Sequence, residues 1–235
     1  MLARPELARH NLVWLSQAGW ERAAALAAPG ARDAGDARAA IMRWGRARWP
    51  AVATRVPPGL APGDVPLGLA LPPSASDGAK PRIAFIAHMA DIADTCPALP
   101  LAQALPAVPE AWRGPLTALL DEAGNARLDV RVYGSVALQA LTGQGYLTAA
   151  SDIDLLLAPR TLEAYRCALG LLARHALLLP LDGEIVFPQG WTVAWKELLH
   201  LPGATARVLA KSLRGAELVT VGSLLAALRT DRCTA

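Results

Sequence analysis

Two aspartates one residue apart, Asp152 and Asp154, enter an apolar run made of Ile153 and Leu155, Leu156 and Leu157. In an extended strand, residues i and i+2 point to the same side, so the two carboxylates point together. Like charges that share a strand mouth repel each other and resist desolvation. A divalent cation between them removes both penalties, and hard Mg²⁺ prefers carboxylate and phosphate oxygens. A third acid on a neighbouring strand would complete such a site. Glu184 is the first choice, and Asp182, two residues earlier on the same face, is the reserve. Gly134 and Ser135 precede Asp152 by eighteen and seventeen residues. A glycine there lets backbone approach a polyphosphate closely, and Ser135 with the N–H groups opening a helix can hold phosphate oxygens. Two metal ions bridged by Asp152, Asp154 and Glu184 would polarise an attacking hydroxyl and stabilise a leaving pyrophosphate.

Each piece alone has a plainer reading. Gly-Ser after a strand is commonly a turn and a cap, Asp-x-Asp is commonly a surface pair, and Glu184 alone reads as a solvent-facing strand residue. The order and spacing of the whole set point to chemistry.

The elements that must position these groups follow from local pattern. "LDVRVYGS" predicts a strand ended by Gly134, with Ser135 capping a helix that runs to Thr142. "TGQGYLTAA" is a loop, and "DIDLLL" is a core strand. Thr161 caps an amphipathic helix with apolar residues at 162, 165, 169 and 172. "LDGEIVF" is the acidic strand, and "QGWTVAWKELLH" pairs with it across a Pro188–Gly190 turn. If that last segment is a strand, Trp191 and Trp195 share a face as core residues, with adenine stacking a weaker reading. Upstream, "AWRGPLTALLDEAG" predicts a helix closed by Gly124, and the Pro- and Ala-rich 97–109 is a linker or a Pro-interrupted short helix. Residues 36–49 read as a helix, and "AVATRV", "DVPLGLALPP" and "RIAFIAHM" as strands. The expected class is α+β. A small N-terminal α+β domain, 1–95, precedes a catalytic domain, 96–235, with a mixed sheet and flanking helices.

The chain has 235 residues, 53% hydrophobic and 18% charged, enough to bury a core and too apolar for disorder. A net charge of +3 argues against a nucleic-acid coat or a polybasic membrane anchor. Lysine occurs three times, at 80, 196 and 211, against twenty arginines. The arginines Arg43, Arg46 and Arg48 could attract an acidic partner or form a solvated helix face. Cys96, Cys167 and Cys233 show neither zinc spacing nor a disulfide framework. The N-terminus has no apolar stretch like a signal peptide. "LLARHALLLPL" is too short and interrupted to span a bilayer. A cytoplasmic protein is expected.

"YGS…SDIDLLL" resembles the signature of the nucleotidyltransferase superfamily with a DNA polymerase β-like fold. Together with "RHNLVWLS", "VPLGLALP" and "DGEIVFPQGWTVAWKEL", it is similar to the malonate decarboxylase holo-acyl-carrier-protein synthases, also called phosphoribosyl-dephospho-coenzyme-A transferases. The resemblance implies transfer of a phosphoribosyl-dephospho-CoA group from 2′-(5″-triphosphoribosyl)-3′-dephospho-CoA to a serine of the apo acyl-carrier-protein subunit of malonate decarboxylase, releasing pyrophosphate. It implies a two-metal Mg²⁺ site on Asp152, Asp154 and Glu184, with Glu184 helping to activate the serine hydroxyl. Gly134 and Ser135 would bind the triphosphate, and Lys196 would be a point charge for phosphate. Three other readings share these residues: an ATP-dependent adenylyltransferase, a citrate lyase counterpart, and a non-catalytic binding module.

Overall fold

The computed structural model describes residues 7–26, 34–74, 78–200 and 203–229. Cys233 lies outside them. The chain forms two compact units, one of Met1–Pro97 with Leu213–Gly215, the other of Ala98–Ser212 with Ala216–Ala235. The class is α+β.

The first unit is an antiparallel sheet with two helices. Its elements are β1 (Leu12–Leu15), α1 (Gln17–Leu26), α2 (Ala34–Ala47), β2 (Ala51–Ala53), β3 (Asp64–Ala70), β4 (Arg82–His88) and β5 (Ile92–Cys96). The strands lie in the order β4-β3-β2-β1-β5. Alternation along β3 and β4 buries Val65, Leu67, Leu69, Phe85 and Ala87 in one core with Trp20, Ile41 and Trp44. The predicted helix and three strands of this region are present. β1, α1 and β5 are additional. β5 (IADTC) has no clear apolar alternation, and its place is fixed by antiparallel pairing with β1.

The second unit begins with β6 (Leu99–Pro100), α3 (Leu101–Ala104), α4 (Glu110–Asn125), β7 (Val130–Val132), α5 (Gly134–Thr142), β8 (Ile153–Leu157), α6 (Leu162–His175) and β9 (Leu181–Val186). It continues with β10 (Thr192–Ala194), α7 (Trp195–Leu199), β11 (Arg207–Lys211), β12 (Ala216–Thr220) and α8 (Val221–Leu225). The sheet order is β12-β11-β10-β9-β8-β7-β6. β8 and β9 run parallel, as their connection through α6 requires, and the other neighbours are antiparallel. The sheet is therefore mixed.

One sheet face is apolar. Val130, Val132, Ile153, Leu155, Leu157, Leu181, Ile185, Val193, Val208 and Ala210 are all buried. They share a core with Leu116 and Leu119 of α4 and Tyr165, Leu171 and Leu172 of α6. Each fully buried large aliphatic contributes about 1.5–3 kcal/mol, so this face anchors the sheet. Thr161 caps α6 as expected, its Oγ1 accepting from the Ala164 N–H at 3.1 Å.

Three local expectations are corrected. α5 starts at Gly134, not after Ser135: Tyr133 occupies the N-cap position without a side-chain capping bond, and Ser135 lies in the first turn. α4 continues through Gly124 to Asn125, and the left-handed residue that follows is Arg127 (φ 53°). The segment after Pro188–Gly190 pairs with β9 only over Thr192–Ala194, then becomes α7. The good helix formers Lys196, Glu197, Leu198 and Leu199 favour that turn of helix over further strand. Among the described residues, no helix is long and apolar enough to cross a membrane.

Candidate active site

Register decides which side chains meet. In the parallel pair, Asp154 lies beside Asp182 and Leu156 beside Glu184. Glu184 in turn pairs with Ala194, Val186 with Thr192, and Thr192 with Lys211. Paired residues share a sheet face. The face opposite the apolar core therefore carries Asp154, Asp182, Glu184, Thr192 and Lys211, and Asp152 continues the alternation ahead of β8.

Asp152, Asp154 and Asp182 each offer a carboxylate oxygen, and the three oxygens lie within 4.8 Å of one another. Asp152 is exposed and the other two are half-buried. Glu184, expected as the third acid, stands one alternation further along β9 and is not part of this group among the described residues. It is 5% exposed, and Lys211 Nζ lies 3.8 Å from its Oε1. Lys196 Nζ lies 3.6 Å from Asp182 Oδ1 and 5.7 Å from the centroid of the Trp195 ring. Trp195 belongs to the core, and Trp191 packs against it half-buried.

The mouth of β8 is held by several specific bonds. The Tyr133 N–H donates to Asp154 O at 3.0 Å, fixing the turn before α5 against β8. The Ile153 N–H donates to Pro180 O at 2.9 Å, tying the aspartate pair to the entry of β9. The loop between α5 and β8 folds back onto α5, because Gln139 Oε1 accepts from the Tyr146 and Leu147 N–H groups, both at 3.0 Å. Ser151 is buried, and its Oγ accepts from the Thr148 N–H at 2.9 Å. Ser151 thus closes the turn that delivers Asp152.

Two glycines make the close approaches possible. Gly134 has φ +64° and faces the Asp154 carboxylate without room for a side chain. Gly183 has φ +130°, and a Cβ there would fall 2.6 Å from the Leu155 nitrogen and closer to its carbonyl oxygen. Both conformations belong to the region that favours glycine.

Three partly exposed carboxylates with solvent on one side suit a hard divalent cation that keeps some of its water. The donor set is all oxygen, with no imidazole or thiolate, which fits Mg²⁺ rather than zinc. Among the residues this arrangement involves, Lys211 was not singled out from sequence. The available signal was the scarcity of lysine in an arginine-rich chain.

Residues 100–222 match the family model described as Phosphoribosyl-dephospho-CoA transferase MdcG C-terminal domain, and residues 8–98 match its N-terminal domain. A protein of Xanthomonas campestris pv. campestris (strain 8004) named "Phosphoribosyl-dephospho-CoA transferase" is 36% identical over 229 residues, 97% of this chain and 99% of its own length. Proteins of the same name from Xanthomonas euvesicatoria pv. vesicatoria (strain 85-10) and Bradyrhizobium diazoefficiens are 38% and 36% identical. These cover 92% and 87% of this chain, and 95% and 86% of their own lengths. No solved structure matches.

Proposed function

The chain belongs to the phosphoribosyl-dephospho-CoA transferase family and is a transferase enzyme; we propose that its donor is 2′-(5″-triphosphoribosyl)-3′-dephospho-CoA and its acceptor a serine of the acyl-carrier-protein subunit of malonate decarboxylase. The observation that carries this reading is the convergence of Asp152, Asp154 and Asp182 next to the glycine that opens α5. Such a site suits a triphosphate with its metal.

Asp152, Asp154 and Asp182 would hold Mg²⁺, as a two-metal centre. When bound, Mg²⁺ supplies Lewis-acid charge that neutralises phosphate oxygens. Gly134 lets a triphosphate approach the opening turn of α5, and Ser135 in that turn would add a hydroxyl. Lys196, beside Asp182, contributes a point charge for a phosphate. The serine Oγ attacks the phosphorus nearest the extra ribose, forming a new P–O bond. The bond from that phosphorus to the bridging oxygen of the next phosphate breaks, and pyrophosphate leaves with the electron pair. The hydroxyl proton passes to a carboxylate of the site. Positioning and charge neutralisation are sufficient for this in-line exchange, so no covalent enzyme intermediate is required.

The test combines purified protein, Mg²⁺, the triphosphoribosyl donor and apo carrier. Intact-protein mass spectrometry should show a carrier heavier by one phosphoribosyl-dephospho-CoA group, with one pyrophosphate released per carrier modified. Replacing the acceptor serine by alanine should abolish both signals. A carrier that gains only AMP when ATP is offered, and nothing from the CoA-derived donor, would replace this reading with a protein adenylyltransferase.

A further inference from the structure

We infer that Lys211 is a further binding residue of this site, engaging the phosphates that depart as pyrophosphate, and that Glu184 is a positioning residue acting through it. The inference rests on the triphosphate donor proposed above. Lys211 reaches across β10 to lie 3.8 Å from Glu184 Oε1, on the sheet face that carries Asp154 and Asp182.

The two partners differ in their access to solvent. The Glu184 side chain is 6% exposed and the Lys211 side chain 40%. A carboxylate so far removed from water needs a compensating positive charge. The ammonium, by contrast, keeps an open side. It has three N–H donors, and with Glu184 Oε1 at 3.8 Å and a side chain 40% exposed it keeps capacity for a mobile anion. Its backbone is fixed as well, since Lys211 O accepts from Thr192 Oγ1 at 3.2 Å.

The charge balance of the face points the same way. Three clustered carboxylates and an incoming triphosphate are all negative. Lys196 pairs with Asp182, and Lys211 with Glu184. Both are lysines in a chain with twenty arginines and only one other lysine, Lys80. A compact ammonium on a flexible stem can move between a carboxylate and a phosphate, whereas the rigid guanidinium fork favours a fixed bidentate partner. Glu184 would then hold Lys211 over the site and release its open side to the donor, while Asp152, Asp154 and Asp182 form the metal group.

The experiment is a double-mutant cycle on the full chain with Lys211→Met, Glu184→Gln and the double variant, plus Lys211→Arg and, as control, Lys80→Met. Binding of inorganic tripolyphosphate with Mg²⁺ is measured by calorimetry, and transfer is measured as KM for the donor and kcat. Losing one charge-assisted contact should weaken tripolyphosphate binding and raise the donor KM about tenfold or more in Lys211→Met. Glu184→Gln should weaken both in the same direction, and the double variant should be no worse than Lys211→Met. The Mg²⁺ concentration dependence should stay as in the wild type, Lys211→Arg should recover part of the loss, and Lys80→Met should bind normally. If a single variant melts too early to assay, the double variant removes both charges together and carries the comparison. Wild-type tripolyphosphate affinity in Lys211→Met, alongside wild-type transfer, overturns this inference and leaves the proposed function standing. A shifted Mg²⁺ dependence in Glu184→Gln alone overturns it too, by making Glu184 a metal ligand. A wild-type protein that neither binds tripolyphosphate nor transfers the group overturns both.

Discussion

Gly134 and Asp154 approach so closely that no side chain fits between them: a Cβ on Gly134 would stand 3.2 Å from Asp154 Cγ and overlap Oδ2. The φ of +64° at Gly134 adds backbone strain for any other residue. Gly134→Ala should therefore displace the Asp154 carboxylate and lose transfer by about a hundredfold or more, since small misplacements of reacting groups cost that much. Its melting temperature should fall by a few degrees only, because the Asp154 side chain can swing away. Gly183→Ala should show the reverse weighting. Its Cβ would meet the Leu155 backbone, which cannot swing aside, so thermal melting should reveal the larger stability loss there.

Asp152→Asn and Asp154→Asn should each fold and yet lose transfer by orders of magnitude, because each removes a charge the proposed metal site would need. Without Mg²⁺, either variant should melt at or slightly above the wild-type temperature, since a repulsion is relieved. Added Mg²⁺ should raise the wild-type melting temperature and leave the variants nearly unmoved. Wild-type turnover by either variant would remove that residue from the mechanism.

Asp91 in the first unit is 5% exposed, and Arg22 Nε donates to its Oδ2 at 3.0 Å, with Nη2 bonded to Oδ1. This hydrogen bonding, opposed by burial, holds the Asp91 carboxyl below its usual value. A depressed carboxyl pKa stabilises the fold above the unfolded value and loses that contribution as pH falls through the folded one. Asp91→Asn should thus melt below the wild type at neutral pH, and the gap should narrow as pH drops below the ordinary carboxylate range. A gap independent of pH would show that the bridge contributes through packing alone.

The cysteines should be dispensable. Cys167 is exposed on α6 and Cys96 half-buried on β5, and the proposed exchange needs no thiol. A variant with serine at positions 96, 167 and 233 should transfer within about twofold of the wild type, consistent with ordinary surface substitutions. Trapping of donor on the wild-type enzyme in a thiol-dependent form would contradict the direct exchange.

Much of the second unit was legible because its signals are local. β8 follows from five residues that are apolar but for one aspartate, and the Thr161 cap from a single hydroxyl before an amphipathic run. The pointing of Asp152 and Asp154 follows from strand alternation alone. Which acid lies beside the pair was harder to read, because alternation puts Asp182 and Glu184 on one face and cannot choose between them. That choice depends on the register of β9 against β8, which sets Asp182 beside Asp154 and is a tertiary property. For the same reason nothing but the scarcity of lysine marks Lys211 in the sequence. It reaches Glu184 across an intervening strand, and the apolar run Val208–Leu209–Ala210 hides from the sequence the alternating burial that β11 shows. Ser135 does not act as a cap because the helix begins at Gly134, two residues before a Ser135 cap would start it.

The parallel pairing of β8 with β9 also bears on how the chain acquires its active form. Asp154 and Asp182 are twenty-eight residues apart in sequence, and they meet only after the whole α6 crossover has closed. Parallel closure of this kind is a non-local and intrinsically slow event. The acids themselves oppose it, since their charges are brought together as the strands zip. A counterion present during refolding would lower that barrier, so the enzyme would reach its native state sooner in Mg²⁺ than in a chelator. The metal proposed for the chemistry would then also govern the pace of assembly.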